Sequence, residues 1–224
     1  MRKIVGIAAL IAVPLIAIMG ALSVLRWDIA SVLIAVICCV PFLLSFENSK
    51  PSAGELVLTA VMTAFSAAGR FIFAPLPFFK PVTAIVVIGG MYLGAPAGFV
   101  IGAFSALISN IYFGQGAWTP FQMLCWGLIG AVSGVVGKKG AKPVFLCVTG
   151  IVAGCFYSLV MDVWSTLSID LSFSLTRWTA AVITALPVTA VYCVSNVVFL
   201  LILNKPVGKR LERLKEKYGL FNRK

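Results

Sequence analysis

The side chains best suited to hold a small molecule are concentrated in one segment between two apolar runs. This segment contains the amides Asn110, Gln115 and Gln122 and the indole rings of Trp118 and Trp126. Amides are costly in or near hydrocarbon unless they find partners, and a Trp ring supplies a large contact area at a small entropic cost. We therefore expect these five side chains to bind a ligand by hydrogen bonds and ring contacts. The alternative for both Trp residues is an interfacial aromatic belt.

Two neighbouring features would help to shape such a site. Pro120 fits the first turn of the following helix, with Thr119 as its N-cap. Gln122 and Trp126 are four residues apart and so share one face of that helix. The loop at 73–81 is rich in Pro and Phe, and it is either a hydrophobic lid over an outward pocket or a loop that rests on lipid headgroups.

Two isolated charges are further candidates. Asp162 is the only acid inside a predicted span, and Arg70 is a lone cation near the same end of another span. An unpaired charge there is expensive, so the two residues either form a structural ion pair or one or both face a polar ligand. Trp164 lies at the same level and is either a pocket wall or part of the aromatic belt.

The composition excludes most catalytic chemistry. The chain has no His and only seven Asp and Glu residues, so the commonest metal ligand and general base is missing. We predict no metal site, no catalytic residue and no cofactor. A membrane-embedded lipid or prenyl transferase is an alternative, but such reactions need clustered acids to hold metal and diphosphate, and Asp162 stands alone.

The elements that must position these residues are membrane-spanning helices. Of the 224 residues, 61% are hydrophobic and 11% are charged, and the mean hydropathy is +1.06. A soluble domain is about half apolar and about a quarter charged, so the sequence predicts an all-α integral membrane protein. One span is expected for each apolar run, and these runs lie near residues 4–25, 29–46, 55–73, 82–93, 97–113, 119–137, 143–166 and 178–203.

Glycine and proline indicate where some of these helices turn or touch. Gly94 and Gly98 flank Pro96, which predicts a tight turn between two short spans. Gly130 and Gly134 are four residues apart, a spacing that predicts a close helix contact within the chain.

The basic residues predict the topology. With these spans, the N-terminus, the Lys-rich loop at 138–142 and the tail at 205–224 fall on one side of the membrane, so both termini are expected in the cytoplasm. The tail has apolar residues at helical spacing, which predicts a short amphipathic helix on the anionic inner leaflet. This anchoring accounts for the net charge of +11, and we predict no nucleic-acid partner.

A stripe of small residues runs along the third apolar run. Ala60, Ala64 and Ala68 follow each other at four-residue intervals. Such a stripe lets another helix approach closely in lipid. The approaching helix belongs either to another protein or to this chain.

Several segments resemble the substrate-binding S component of energy-coupling factor (ECF) vitamin transporters. These segments are the run with the alanine stripe, Gly69-Arg70, the segment at 77–85, the glycine-rich turn at 89–99 and Ser109-Asn110. The resemblance covers about 55–204. It divides the chain into an N-terminal transmembrane hairpin at 1–50, a six-helix substrate-binding core at 51–204 and the basic tail at 205–224.

The resemblance implies a binding function without catalysis. An S component of this family binds a vitamin in an outward-facing pocket, docks on the membrane coupling subunit EcfT with the cytoplasmic ATPases EcfA and EcfA', and topples to release its ligand inward. Ala60, Ala64 and Ala68 match the stripe that packs against the coupling subunit. The sequence has no GxxxxGK[ST] phosphate loop of its own.

Within this family, the run at 113–123 is similar to the group that transports cobalamin. A corrinoid ligand is therefore expected, bound through the corrin edge and nucleotide loop because no His is present to ligate cobalt. A smaller vitamin or precursor is an alternative, as is a standalone secondary transporter. The candidate substrate-binding residues are Arg70, Asn110, Gln115, Trp118, Gln122, Trp126, Asp162 and Trp164.

Overall fold

The regular elements of this protein are helices. A computed structural model describes residues 26–137, 141–170 and 173–221, together with Ala12, Leu15, Ile16 and Met19. Throughout the described ranges every regular element is an α-helix, which confirms the all-α class. The helices are α1 (Trp27–Asn48), α2 (Ala53–Ile72), α3 (Val82–Leu93), α4 (Ala95–Phe113), α5 (Thr119–Val136), α6 (Pro143–Asp170) and α7 (Leu175–Tyr218). The first predicted span, near 4–25, lies almost entirely outside the described ranges.

Five of the described helices, α2 and α4 to α7, are long and apolar enough to cross a membrane. The chain is therefore a multi-pass membrane protein. Helix α3 has 12 residues, which gives a length of about 18 Å against a hydrocarbon thickness of about 30 Å. Because α3 is too short to cross alone, it leaves space beyond its N-terminal end.

Helix α3 is the buried centre of the bundle. All of its residues are buried, and it packs against α2, α4, α5, α6 and α7. A helix that is apolar all round suits such surroundings. Gly94 ends α3 with a φ of 92°, so the predicted tight turn is confirmed there. Gly98 lies inside α4, so its prediction as a turn residue is wrong.

Helices α3, α4 and α5 touch through glycine. A Cβ added to Gly130 would lie 2.1 Å from the carbonyl oxygen of Gly98, and a Cβ on Gly90 would lie 2.1 Å from that of Gly130. A Cβ on Gly134 would lie 2.3 Å from the backbone nitrogen of Ala95. The predicted internal contact of Gly130 and Gly134 is confirmed. It holds the start of α4 against the end of α5, and the polar segment lies at the opposite ends of these two helices.

Helix α1 packs against α4, α5 and α6. The Phe42 ring stacks on the Phe99 ring with centroids 4.4 Å apart. Helix α1 is thus part of the bundle, although the resemblance to S components starts only after it.

Helix α2 has one face inside the bundle and one outside. It begins with a capping box in which Ser52 and Glu55 bond to each other's backbone amides, and it packs on α3 and α4. Ala60, Ala64 and Ala68 lie on the exposed face. The stripe is therefore not used for packing within the described part of the chain.

The basic tail continues the last helix. Helix α7 runs from Leu175 through Pro206 to Tyr218, so the tail is helical there, as its spacing predicts. The Lys215 ammonium is buried and donates to the carbonyl oxygen of Tyr92 at 2.6 Å. Beyond the helix, the Phe221 amide donates to Glu55 Oε1 at 2.6 Å. These bonds join the tail to the end of α3 and the start of α2. Its contact with the inner leaflet stays a prediction.

Candidate ligand-binding site

A cavity of about 280 Å³ lies where α2 and α4 end and α3 and α5 begin. This is the space beyond the N-terminal end of the short helix α3, and it is opposite the basic tail. Its walls come from six helices and the loop at 73–81. The lining residues are Arg70, Phe78, Lys80, Val82, Thr83, Phe113, Gln122, Trp126, Gly154, Tyr157, Tyr192 and Asn196.

A chain of hydrogen bonds runs behind and along one wall of the cavity. Arg70 Nη1 donates to Asn110 Oδ1 at 2.7 Å. Asn110 Nδ2 donates to Gln122 Oε1 at 2.8 Å, and Gln122 Nε2 donates to the Tyr157 hydroxyl at 3.0 Å. This Arg70–Tyr157 chain links α2, α4, α5 and α6, so the side chains that face the cavity hold one another in place.

Asn110 supports the site from behind. Its side chain is 1% exposed, and it also donates to Thr119 Oγ1 at 3.0 Å. Its carbonyl oxygen and both N–H donors are thus occupied. Arg70 has a second acceptor in Ser109 Oγ at 2.6 Å. We conclude that Asn110 orients Arg70 and Gln122 and does not itself contact the cavity.

Aromatic rings form flat walls. The Trp126 and Tyr157 rings stack at a centroid distance of 5.1 Å and an angle of 12°, and Trp126 Nε1 donates to Thr83 Oγ1 at 3.2 Å. The Arg70 guanidinium lies 4.5 Å from the centroid of the Phe113 ring and 5.1 Å from that of Trp126. Such contacts stabilise a cation by the negative face of the ring, and they leave Arg70 at the cavity wall.

Lys80 holds the adjoining loop. Its ammonium donates to the carbonyl oxygens of Phe73, Ala74 and Leu76 at 2.6, 3.1 and 2.9 Å. An ammonium has three N–H donors, and here all three bond to backbone carbonyl oxygens. Burial, and secondly the charge of Arg70, lower the pKa of Lys80. Both charged residues of the cavity wall are cations, but Arg70 is the one with donors to spare for a ligand.

The loop at 73–81 covers part of the cavity. Phe78 lies in the cavity wall and meets the Tyr192 ring edge-on, with centroids 5.8 Å apart. This placement favours the lid over the alternative of a loop resting on headgroups.

The segment between α4 and α5 is arranged differently from the prediction. Helix α5 starts at Thr119, and its N-cap is Trp118, so Thr119 was wrong as the N-cap. The Thr119 hydroxyl is instead used in the loop, where it accepts from the Gly116 amide and donates to Gln115 Oε1. Gln115 also donates to the Leu107 carbonyl at 2.8 Å. Trp118 is 38% exposed, and neither Gln115 nor Trp118 lines the cavity.

Asp162 and Trp164 also lie outside the cavity wall. Trp164 packs on Phe121, with ring centroids 5.1 Å apart. Arg70 and Asp162 are both described and form no ion pair; Arg70 bonds instead to Ser109 and Asn110. The predicted structural ion pair is therefore wrong. Asp162 Oδ2 is buried and has no hydrogen-bond partner among the described residues.

Four of the eight candidate residues thus come together: Arg70, Gln122 and Trp126 at the wall and Asn110 behind it. The sequence analysis did not select Tyr157, Tyr192 and Asn196, which lie on α6 and α7. Their signal was present, since each is a polar group within a long apolar run.

The family model described as the S component of ECF-type riboflavin transporters matches residues 50–213. The chain belongs to this family. The match covers every residue that lines the cavity of this S component. The family is one of transporter subunits and not of enzymes. Neither the comparison with curated proteins nor the comparison with solved structures found a match.

Proposed function

We propose that this S component captures a vitamin in the Arg70 cavity on the outer side of the membrane and releases it inward only when joined to a coupling subunit and ATPases. The observation that carries the proposal is the Arg70–Tyr157 chain, which fixes polar groups at the wall of a cavity that aromatic rings also line. Fixed polar groups in an apolar pocket are what gives a small-molecule site its specificity. The exposed alanine stripe on α2 is the proposed contact with the coupling subunit.

We propose a flat heteroaromatic vitamin of the size of riboflavin as the ligand. The cavity of about 280 Å³ is slightly smaller than the range of about 300–1,000 Å³ that is usual for ligand pockets. The Trp126, Tyr157 and Phe113 rings offer faces for a planar ring system, and Arg70 and Gln122 can bond to its carbonyl oxygens. The description of the matching family, which names riboflavin, points the same way.

A corrinoid is the second candidate. The segment that resembles the cobalamin group carries an exposed Trp118 and the amide of Gln115 at the same end of the bundle. A corrin macrocycle is far larger than the cavity, so it would require Phe78 and the rest of the loop at 73–81 to move aside. Riboflavin requires less displacement, and for this reason we rank it first.

Calorimetric titration of the purified protein in detergent with riboflavin, cobalamin and cobinamide separates these ligands. We expect riboflavin to bind with one-to-one stoichiometry, and we expect no binding of either corrinoid. Trp126→Phe should weaken the binding about ten-fold, because it loses ring area and the bond to Thr83. The matched control Trp164→Phe, outside the cavity, should change it less than about two-fold. Binding of cobalamin alone would overturn the riboflavin assignment.

Uptake into proteoliposomes tests the transport role separately. The S component reconstituted with a coupling subunit and ATPases should accumulate its ligand only when ATP is supplied. Rapid accumulation by this chain alone would favour the standalone secondary transporter instead. Formation of a product from any lipid substrate would favour the transferase.

A further inference from the structure

A second pocket, of about 540 Å³, lies at the opposite end of the bundle. We call it the basal pocket. It shares no residue with the ligand cavity, and its walls come from the end of α3, the start of α6 and the second half of α7. The residues that line it are Tyr92, Ala141, Pro143, Leu146, Leu201, Asn204, Lys205, Lys209 and Glu212.

The polarity of the basal pocket changes from one end to the other. Leu201, Lys205, Lys209 and Glu212 follow each other along α7 at intervals of four, four and three residues, so they share one face. Leu201 and Leu146 give this face an apolar end, and the lysines give it a charged end. The same change, from hydrocarbon to headgroup, occurs across the interface of a lipid bilayer.

Asn204 is the most specific feature of the basal pocket. Its side chain is 6% exposed, and its Oδ1 has no hydrogen-bond partner among the described residues. A buried acceptor without a donor is costly, so it points to a ligand that brings a donor. Helix α6, which has 28 residues, begins at the pocket wall with Pro143. The positive end of its dipole therefore favours an anion there.

We propose that the basal pocket binds the headgroup of phosphatidylglycerol, with the phosphate at Lys205 and Lys209 and a glycerol hydroxyl donating to Asn204. The lysines outnumber the single carboxylate of Glu212 among the lining residues, which favours a lipid with a net negative charge. Glu212 and Asn204 both accept hydrogen bonds, and the glycerol hydroxyls supply the donors. Leu146 and Leu201 lie where the acyl chains begin.

Native mass spectrometry of the full chain tests the site, with phosphatidylglycerol, phosphatidylethanolamine and phosphatidic acid offered in equal amounts. The wild-type protein should retain phosphatidylglycerol best. The double variant Lys205→Gln, Lys209→Gln should retain about ten-fold less of it. The control Arg210→Gln, Arg213→Gln changes the charge of the exposed tail equally but lies outside the pocket. It should change the retention less than about two-fold, with thermal unfolding used to verify that all variants are folded.

Asn204→Leu tests the hydroxyl contact. It should bring the retention of phosphatidylglycerol down to that of phosphatidic acid, which has the phosphate but no glycerol headgroup. An equal loss in the control variant would overturn the proposal in favour of general charge attraction. Equal retention of phosphatidylethanolamine by the wild-type protein would overturn the preference for a net negative lipid. Displacement of the lipid by inorganic phosphate would overturn it in favour of a soluble anion.

Discussion

Removal of one hydroxyl group tests whether the Arg70–Tyr157 chain holds the site together. Tyr157→Phe keeps the ring that stacks on Trp126 but removes the acceptor of the Gln122 amide. A buried donor without a partner costs about 1–3 kcal/mol. Because Gln122 lines a cavity that water can enter, we expect the low end of the range, about 1 kcal/mol, which lowers Tm by about 2–4 °C for a chain of this length.

Tyr192→Phe is the matched control. Tyr192 also lines the cavity, but it contacts Phe78 and Tyr157 through its ring, so the loss of its hydroxyl should leave Tm within about 1 °C. Both variants are compared by thermal unfolding in detergent without ligand, followed by intrinsic fluorescence. An unchanged Tm for Tyr157→Phe, or an equal fall in both variants, would refute the supporting role of the chain.

Three further substitutions address the interface, the packing and the tail. Ala64→Leu should reduce co-purification with the coupling subunit at least about five-fold and leave ligand binding unchanged, because the stripe faces out of the bundle. Val152→Leu, exposed on α6, is the control. Equal losses of assembly and ligand binding in Ala64→Leu would contradict the assignment. Gly130→Ala should destabilise the protein by about 3 kcal/mol, since its Cβ would meet the backbone of α4; a normal Tm would show that these helices are not in such close contact. Glu55→Gln should cost about 1 kcal/mol through weaker bonds to Ser52 and Phe221, and faster proteolysis of the C-terminal tail should accompany the lower Tm.

The sequence identified part of the site because some signals are local. An amide, a charge or a Trp ring beside such amides stands out without any knowledge of the fold, and Arg70, Asn110, Gln122 and Trp126 were found in this way. The same signal does not say whether such a side chain faces a cavity, a loop or a neighbouring ring. Gln115 forms its hydrogen bonds with Leu107 and Thr119, and Trp164 packs on Phe121. In the sequence, both were candidates for ligand contact in the same way as Gln122.

The sequence by itself determined the membrane class, the approximate positions of the described helices and the turn at Gly94, because hydropathy and backbone freedom are properties of single residues and short segments. The tertiary structure decided which polar groups converge. The cavity exists because α3 is too short to fill the bundle, and close packing such as the contact of Gly98 with Gly130 holds the surrounding helices together. That contact joins backbones distant in sequence, and so do the bonds from Arg70 to Asn110 and from Gln122 to Tyr157. No local pattern contains them, because they form only once the helices have packed.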